Sequence, residues 1–482
     1  MRVFKAVTCP VCGCLCDDIE LVVENKRIVG VKNGCSLCAA KFLGYNSQRL
    51  LKPLLRKNGK LVEATLDEAI RKAAGILSAA NYPILYGWSS TSCEATRRGI
   101  ELAEELGGII DHTSAFFHGP SIMAIQDAGI STCTLGQIRH RADLIIYWGT
   151  NPLSSHPRHA ERYTAFSEGR FRKSKLKAGS PKIRDATLKE KIYGTHRIAS
   201  TAVPAAPSLA DEAKSPAIPK QRRKVIVVDV KKTQSAEIAD CFIQVEPNKD
   251  YELLQALRSL IKDEEISVDK AAGVPVEYLE EVADVMVNCN FGVFFFGLGL
   301  TMSKGRARNV EAALCLTRDL NTRTKFVIMP MRRLFNSIGV EEVFAWQTGY
   351  PYAVDFSLGH PRYNPGETSA IDVLLRKESD AALIVAFDLI VNFPREAIEH
   401  LSNNPLIVID QHLNSISQVA DVVLPCAFAG VEAKGTAYHM DHVPLPLRRI
   451  VPPPKGCLVD EEILKRILDE VRRMKGKKTI HS

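Results

Sequence analysis

An α/β fold with several parallel-sheet domains is predicted by three features of the sequence. Short uninterrupted apolar runs alternate with stretches of helical periodicity, and runs without polar alternation are what strands covered on both faces require. Small or polar residues follow nearly every run, the composition expected where such sheets collect ligands at the carboxyl ends of their strands, although turns need the same residues. The chain has 482 residues, 46% hydrophobic and 24% charged. That is enough apolar material for more than one core, and it excludes a wholly disordered, collagen-like or disulfide-stapled chain.

The elements follow in order. Residues 1–50 read as a small module, in which residues 18–32 (DIELVVENKRIVGVK) carry two β-rich runs around the polar turn Glu24-Asn25-Lys26, a hairpin set between two groups of cysteines. Residues 67–80 place Ala, Ile and Leu at helical spacing. Residues 83–86 form a buried strand entering Gly87-Trp88-Ser89-Ser90-Thr91, and residues 93–106 a helix ended by Gly107-Gly108. Strands at 144–148 and 225–229 enter Gly149-Thr150-Asn151-Pro152 and Val230-Lys231-Lys232-Thr233. Strands at 291–296, 325–329, 382–386 and 406–409 enter Gly297-Leu298-Gly299, Pro330-Met331-Arg332, Phe387-Asp388 and Asp410. Residues 420–440 have strand–turn character, and 459–474 form a closing amphipathic helix. The recurring strand–loop theme predicts two related α/β halves. The expected organisation is a module at 1–50, α/β regions at 51–168 and 225–415 separated by an insertion at 169–224, and a C-terminal region at 416–482 with a basic tail.

The net charge of +8 is a local property. Residues 169–224 hold 15 Lys/Arg against 4 Asp/Glu, so the rest of the chain carries −3 (+8 less +11). This Pro/Ala/Lys-rich segment reads as a solvated surface insertion and not as a nucleic-acid arm. No apolar run reaches the roughly 20 residues of a membrane span, and no apolar signal core precedes the first cysteines, so a cytoplasmic protein is expected.

Thirteen cysteines in such a chain argue for metal ligation over disulfides. Six lie in the first 38 residues: Cys9, Cys12, Cys14, Cys16, Cys35 and Cys38. Cys9-x2-Cys12-x3-Cys16 with Cys35 beyond the hairpin suits a 4Fe–4S cluster, the triplet wrapping one side of the cubane and the distant cysteine closing it. The pairs Cys9/Cys12 and Cys35/Cys38 keep tetrahedral zinc as the alternative, and Cys38 competes with Cys35 as fourth ligand.

The cysteine opening with Asp17-Asp18-Ile19-Glu20 and Asn33-Gly34-Cys35 resembles that of the molybdenum/tungsten bis-pterin oxidoreductases. Within them it is similar to the B-subunit family of formylmethanofuran dehydrogenase. Further matching stretches, in order, are Phe117-His118-Gly119-Pro120-Ser121, Trp148-Gly149-Thr150-Asn151-Pro152 with His156-Pro157-Arg158-His159, and Val228-Asp229-Val230-Lys231-Lys232-Thr233. After them come Gly297-Leu298-Gly299-Leu300-Thr301, Pro330-Met331-Arg332, Arg362-Tyr363-Asn364-Pro365-Gly366-Glu367 and Glu432-Ala433-Lys434-Gly435-Thr436. Only about 170–223 falls outside the resemblance.

The resemblance implies α/β domains around a cofactor cleft holding molybdenum or tungsten bis(molybdopterin guanine dinucleotide), with the 4Fe–4S module beside it. It implies reversible reduction of CO2 to formate, with formate passed to an amidohydrolase-like A subunit that joins it to methanofuran. A C subunit and ferredoxin-type electron carriers would be further partners. Gly87, Ser89, Ser90, Gly149, Asn151, Gly297, Gly299 and Thr301 offer the small residues and N–H groups that pyrophosphate requires. Asp229 can accept from guanine or ribose, and Lys232 can meet phosphate; each taken alone is equally an ordinary turn residue. His118 matches the family's proton-handling histidine, and Arg332 in Pro-Met-Arg is the candidate for its fixed cation, with Arg333 adjacent; a cap of the helix starting near Pro120 and a surface or interface ion pair are their ordinary alternatives.

Two positions depart from the family. Phe117 stands where relatives carry a metal-ligating cysteine or selenocysteine, and no lysine follows Cys35 within Ser36-Leu37-Cys38. The alternatives are therefore a redox-inactive scaffold subunit of a formyltransferase/hydrolase-like complex, or a cluster-only electron-transfer subunit.

Overall fold

The chain leaves one structural unit after Phe116 and re-enters it at Leu334. The computed structural model therefore has a discontinuous unit, Met1–Phe116 with Leu334–Ser482, and a continuous one, Phe117–Arg333. The structure describes residues 1–171 and 223–476. Most of the expected 169–224 insertion and the end of the basic tail lie outside the described residues.

In the discontinuous unit, Arg2–Val7, Ile19–Glu24 and Arg27–Lys32 form a three-stranded antiparallel sheet. The predicted turn is present, with Asn25 and Lys26 both at positive φ (48° and 62°), the conformation of a tight two-residue hairpin turn. Helix Ser36–Gly44 follows. The main sheet has nine strands. Its parallel centre runs Ile109–His112, Pro83–Gly87, Ala381–Val385, Leu406–Asp410, Val422–Pro425, and antiparallel strands flank it on both sides.

The apolar runs are uninterrupted because alternate residues fill two cores. Leu383, Val385, Ile407 and Ile409 pack with residues of helices Leu66–Ala79, Cys93–Leu106, Ser337–Thr348 and Asp460–Met474. Ala382, Ile384, Leu406 and Val408 pack with helices Ala370–Leu375 and Arg395–Ser402. Helix Leu66–Ala79 starts in a capping box between Thr65 and Glu68. Helix Cys93–Leu106 stops at Gly107 in the left-handed conformation.

The continuous unit is a five-stranded, wholly parallel sheet in the order Cys241–Gln244, Lys224–Asp229, Leu144–Trp148, Phe291–Phe296, Lys325–Pro330. Leu144, Ile146, Trp148, Ile226, Val228, Phe294 and Phe296 face a core shared with helices Asp250–Leu260, Val276–Asn288 and Ala307–Leu320. Among the described residues, no helix is long and apolar enough to cross a membrane.

Candidate functional site

Each parallel sheet reverses its strand order once. In the continuous unit the reversal lies between Leu144–Trp148 and Phe291–Phe296; in the discontinuous unit it lies between Pro83–Gly87 and Ala381–Val385. At such a point the connections diverge to opposite faces and leave a crevice at the strand ends. The glycine loops singled out from sequence stand there: Gly149-Thr150-Asn151 and Gly297-Leu298-Gly299 at one reversal, Gly87-Trp88-Ser89 at the other.

The glycines are required first by the approach of the backbone. Gly149 has φ +54°, and a Cβ there would lie 2.7 Å from Leu300 N, while one on Gly299 would lie 2.6 Å from Gly149 Cα. The loops are tied by Gly297 N–H to Trp148 O (3.1 Å) and Gly299 N–H to Gly149 O (2.9 Å). Gly87 has φ +128°, and a Cβ there would lie 2.0 Å from Val385 O. Trp88, also at positive φ, buries its ring against Gly99 and anchors the loop in the core.

The remaining predicted residues are spread around these loops. Asn151 Oδ1 accepts the Ser235 hydroxyl at 2.7 Å. Ser89 is buried and accepts the Thr113 hydroxyl, whereas Ser90 is half-buried. Asp229 is half-buried and burial raises its carboxyl pKa; Lys232 is exposed. The Thr301 hydroxyl donates to Phe117 O at 2.9 Å. Asp250, not anticipated from sequence, starts helix Asp250–Leu260 and accepts Trp148 Nε1–H at 2.8 Å. Its Oδ2 is buried with no hydrogen-bond partner among the described residues. In the sequence it looks like any acidic residue of a first helical turn.

His118 and Arg332 belong to the same unit, and the Arg332 guanidinium and His156 both act electrostatically on His118. Burial, then Arg332, then His156 hold the His118 imidazole well below its usual pKa, so it is neutral near pH 7. His118 Nδ1 is buried with no hydrogen-bond partner among the described residues. Arg332 is 3% exposed while the adjacent Arg333 lies on the surface. His156 Nε2 donates to Arg332 O at 2.8 Å.

In the N-terminal module, Cys9, Cys12, Cys14, Cys16 and Cys38 are buried and Cys35 is half-buried. None of the thirteen cysteines forms a disulfide. Cys9 hydrogen-bonds Cys38; that bond, burial and the neighbouring Cys38, Cys16 and Cys12 push its thiol well up. Cys35 caps helix Ser36–Gly44 from outside, whereas Cys38 sits on the buried face of that helix. Counting from Cys38 instead of Cys35, a lysine does follow: Lys41 is half-buried, and desolvation brings it down to about 8 with Asp410 and Cys9 opposing the shift. Lys41 Nζ lies 4.0 Å and Arg49 Cζ 4.5 Å from the Phe428 ring centroid, and Arg49 pairs with Glu432 at 2.6 Å. Among the described residues, no three His, Cys, Asp or Glu side chains converge as ligands of a single metal ion.

Two strand-order reversals, a thiol-rich module and the buried His118 and Arg332 suggest a class, and the family model described as Molybdopterin oxidoreductase matches residues 49–184. The chain is 42% identical over 477 residues to the B subunit of the tungsten-containing formylmethanofuran dehydrogenase 2 of Methanocaldococcus jannaschii, covering 98% of this chain and 100% of the relative. It belongs to that B-subunit family, within the oxidoreductases. It is also 23% identical over 531 residues to the alpha subunit of the F420-dependent formate dehydrogenase 1 of Methanococcus maripaludis, covering 97% of this chain and 70% of that one. In fold it is similar to a chain of the formyltransferase/hydrolase complex of Methylorubrum extorquens crystallised with methylofuran. That match has a TM-score of 0.65 at 20% identity, covering 88% of this chain and 100% of that one.

Proposed function

We propose that this chain is the redox subunit of a cytoplasmic formylmethanofuran dehydrogenase-type complex. It would interconvert CO2 and formate and pass formate to an amidohydrolase-like partner. The observation that carries this reading is that His118 and Arg332 are both buried in one unit, with the Arg332 charge felt at His118, supported by the two strand-order reversals lined with close-approach glycines.

The residues present fit the expected groups, with one exception. The loops at 87–89, 149–151 and 297–299, whose glycines let backbone segments approach closely, suit the phosphates of two pterin guanine dinucleotides. Asp229 and Asp250 Oδ2, which has no hydrogen-bond partner among the described residues, suit guanine N–H donors. Cys9, Cys12, Cys16 and Cys38 would hold a 4Fe–4S cluster, with Cys35 at the margin. The exception is Phe117, which has no donor atom, so this side chain contributes no ligand to a molybdenum or tungsten ion.

Bound there, a metal–pterin group would supply the two-electron redox chemistry for interconverting formate with CO2 and a proton, and a cluster held by the N-terminal cysteines would supply an electron relay. The chain's own residues handle the rest. Arg332, buried and always charged, would hold the carboxylate oxygens by charge-assisted hydrogen bonds. His118, kept neutral by burial, would take the departing proton at Nδ1 and return it in the reverse direction.

Anaerobic purification of the complex with iron, sulfide, molybdenum, tungsten and pterin assays tests the reading. Iron with one molybdenum or tungsten and two pterins per chain is expected, together with formate-dependent dye reduction. A second reading, a scaffold without redox cofactors, is favoured by Phe117 and by the likeness to the formyltransferase/hydrolase complex. Absence of iron, metal and pterin would establish it, and iron alone would leave a cluster-bearing electron carrier.

A further inference from the structure

We propose that His156 is the positioning residue for Arg332: its Nε2–H holds the Arg332 main-chain carbonyl and so sets where the guanidinium stands. The inference rests on the reading of His118 and Arg332 as the pair that handles formate.

The chemistry of the contact is fixed by its acceptor. A backbone carbonyl only accepts, so at 2.8 Å the hydrogen must reside on His156 Nε2. On the other side of the ring, Nδ1 lies 2.8 Å from the Ser155 hydroxyl. The same hydroxyl is 3.1 Å from Asn151 O, while Asn151 Oδ1 is held by Ser235. The His156 main chain is held by its N–H on Pro152 O at 2.8 Å. His156 is 1% exposed. Its imidazole is therefore gripped by the Gly149–Asn151 side of the strand-order reversal and grips the chain beyond strand Lys325–Pro330.

Arg332 needs such a grip. Strand pairing ends at Pro330 opposite Phe296, and Met331 N–H still reaches Phe296 O at 2.8 Å. Arg332 lies past this last rung, and a side chain takes over where the sheet stops placing the backbone. The other member of the pair is treated alike: Thr301 holds Phe117 O, one residue before His118. Holding a reactive side chain through its own main chain gives the precision that preorganised sites require.

The test is isothermal titration of sodium formate into the purified complex carrying wild-type chain, Arg332→Gln, His156→Leu, His156→Gln or the double variant His156→Leu/Arg332→Gln. Arg332→Gln is read first: unchanged formate binding there would remove the reading of the pair itself. A loss of about tenfold or more is expected, because an arginine–carboxylate contact is charge-assisted. His156→Leu should then lose most of the same factor with iron content and melting temperature retained. His156→Gln, whose amide reaches as far as Nε2, should bind within about twofold of wild type, and the double variant should be no weaker than Arg332→Gln alone. Wild-type binding by His156→Leu, or additive losses in the double variant, would overturn the proposal. If His156→Leu does not fold, His156→Asn against His156→Gln decides. Asparagine stops short of the carbonyl, so equal binding by the two refutes the role of Nε2.

Discussion

Replacing Glu432 with alanine should destabilise the discontinuous unit more than any surface change. Glu432 and Arg49 side chains are 1% and 2% exposed and meet at 2.6 Å. Arg49 also donates to Gln411 O (3.2 Å) and Cys426 O (3.1 Å), and Glu432 Oε2 accepts Phe428 N–H at 3.0 Å. In Glu432→Ala the guanidinium keeps two carbonyls but loses its counter-charge inside the protein, a loss of about 3–5 kcal/mol. For a unit of this size each kcal/mol moves the melting temperature by roughly 2–4 °C, so a fall of roughly 6–20 °C is expected in anaerobic calorimetry. Removing both charges in Arg49→Met/Glu432→Leu leaves no orphaned ion, and most of the loss should return. A shift under about 3 °C in Glu432→Ala, or a double variant no more stable than the single one, would show that the pair is not the buried ion pair described.

Gly299→Ala should separate the loops at the strand-order reversal, because its Cβ would sit 2.6 Å from Gly149 Cα. A stability loss of about 1–3 kcal/mol and reduced pterin content are expected, read by thermal unfolding and pterin fluorescence. Burial raises Asp460 to about 6, so the folded state binds its proton more tightly than the unfolded chain. Stability should therefore fall as pH rises from about 4 to about 6, by about 3 kcal/mol. Asp460→Asn should flatten that segment of the denaturant-measured stability profile, and an unchanged slope would refute the assignment. Cys38→Ser should abolish iron incorporation while Cys35→Ser retains most of it, as measured by iron and sulfide assay. The opposite pattern would return the fourth thiolate to Cys35.

The local elements are legible because they obey local rules. The hairpin around Glu24-Asn25-Lys26, the helix ended by Gly107 and the strand at 291–296 lie where β-propensity, helix termination and apolar run length put them. The loops at Gly87, Gly149 and Gly297 stand out because glycine directly follows an apolar run there. Lys41 is not singled out because in the sequence it is one more lysine on a short helix. His156 lies inside a matching stretch, but nothing in one dimension says that its ring reaches Arg332, 176 positions on.

By itself the sequence determined the kind of structure: parallel α/β sheets, a thiol-rich module and the residue types at the strand ends. Backbone sterics and the periodicity of burial act over a few neighbours and leave their mark on consecutive letters. Only the tertiary structure decided which strands are adjacent. Pro83–Gly87 pairs with Ala381–Val385 across an excursion that builds a second sheet from Leu144–Trp148 and Phe291–Phe296. That choice depends on how whole faces fit together, and many apolar strands of similar composition are interchangeable until the packing of distant segments selects among them.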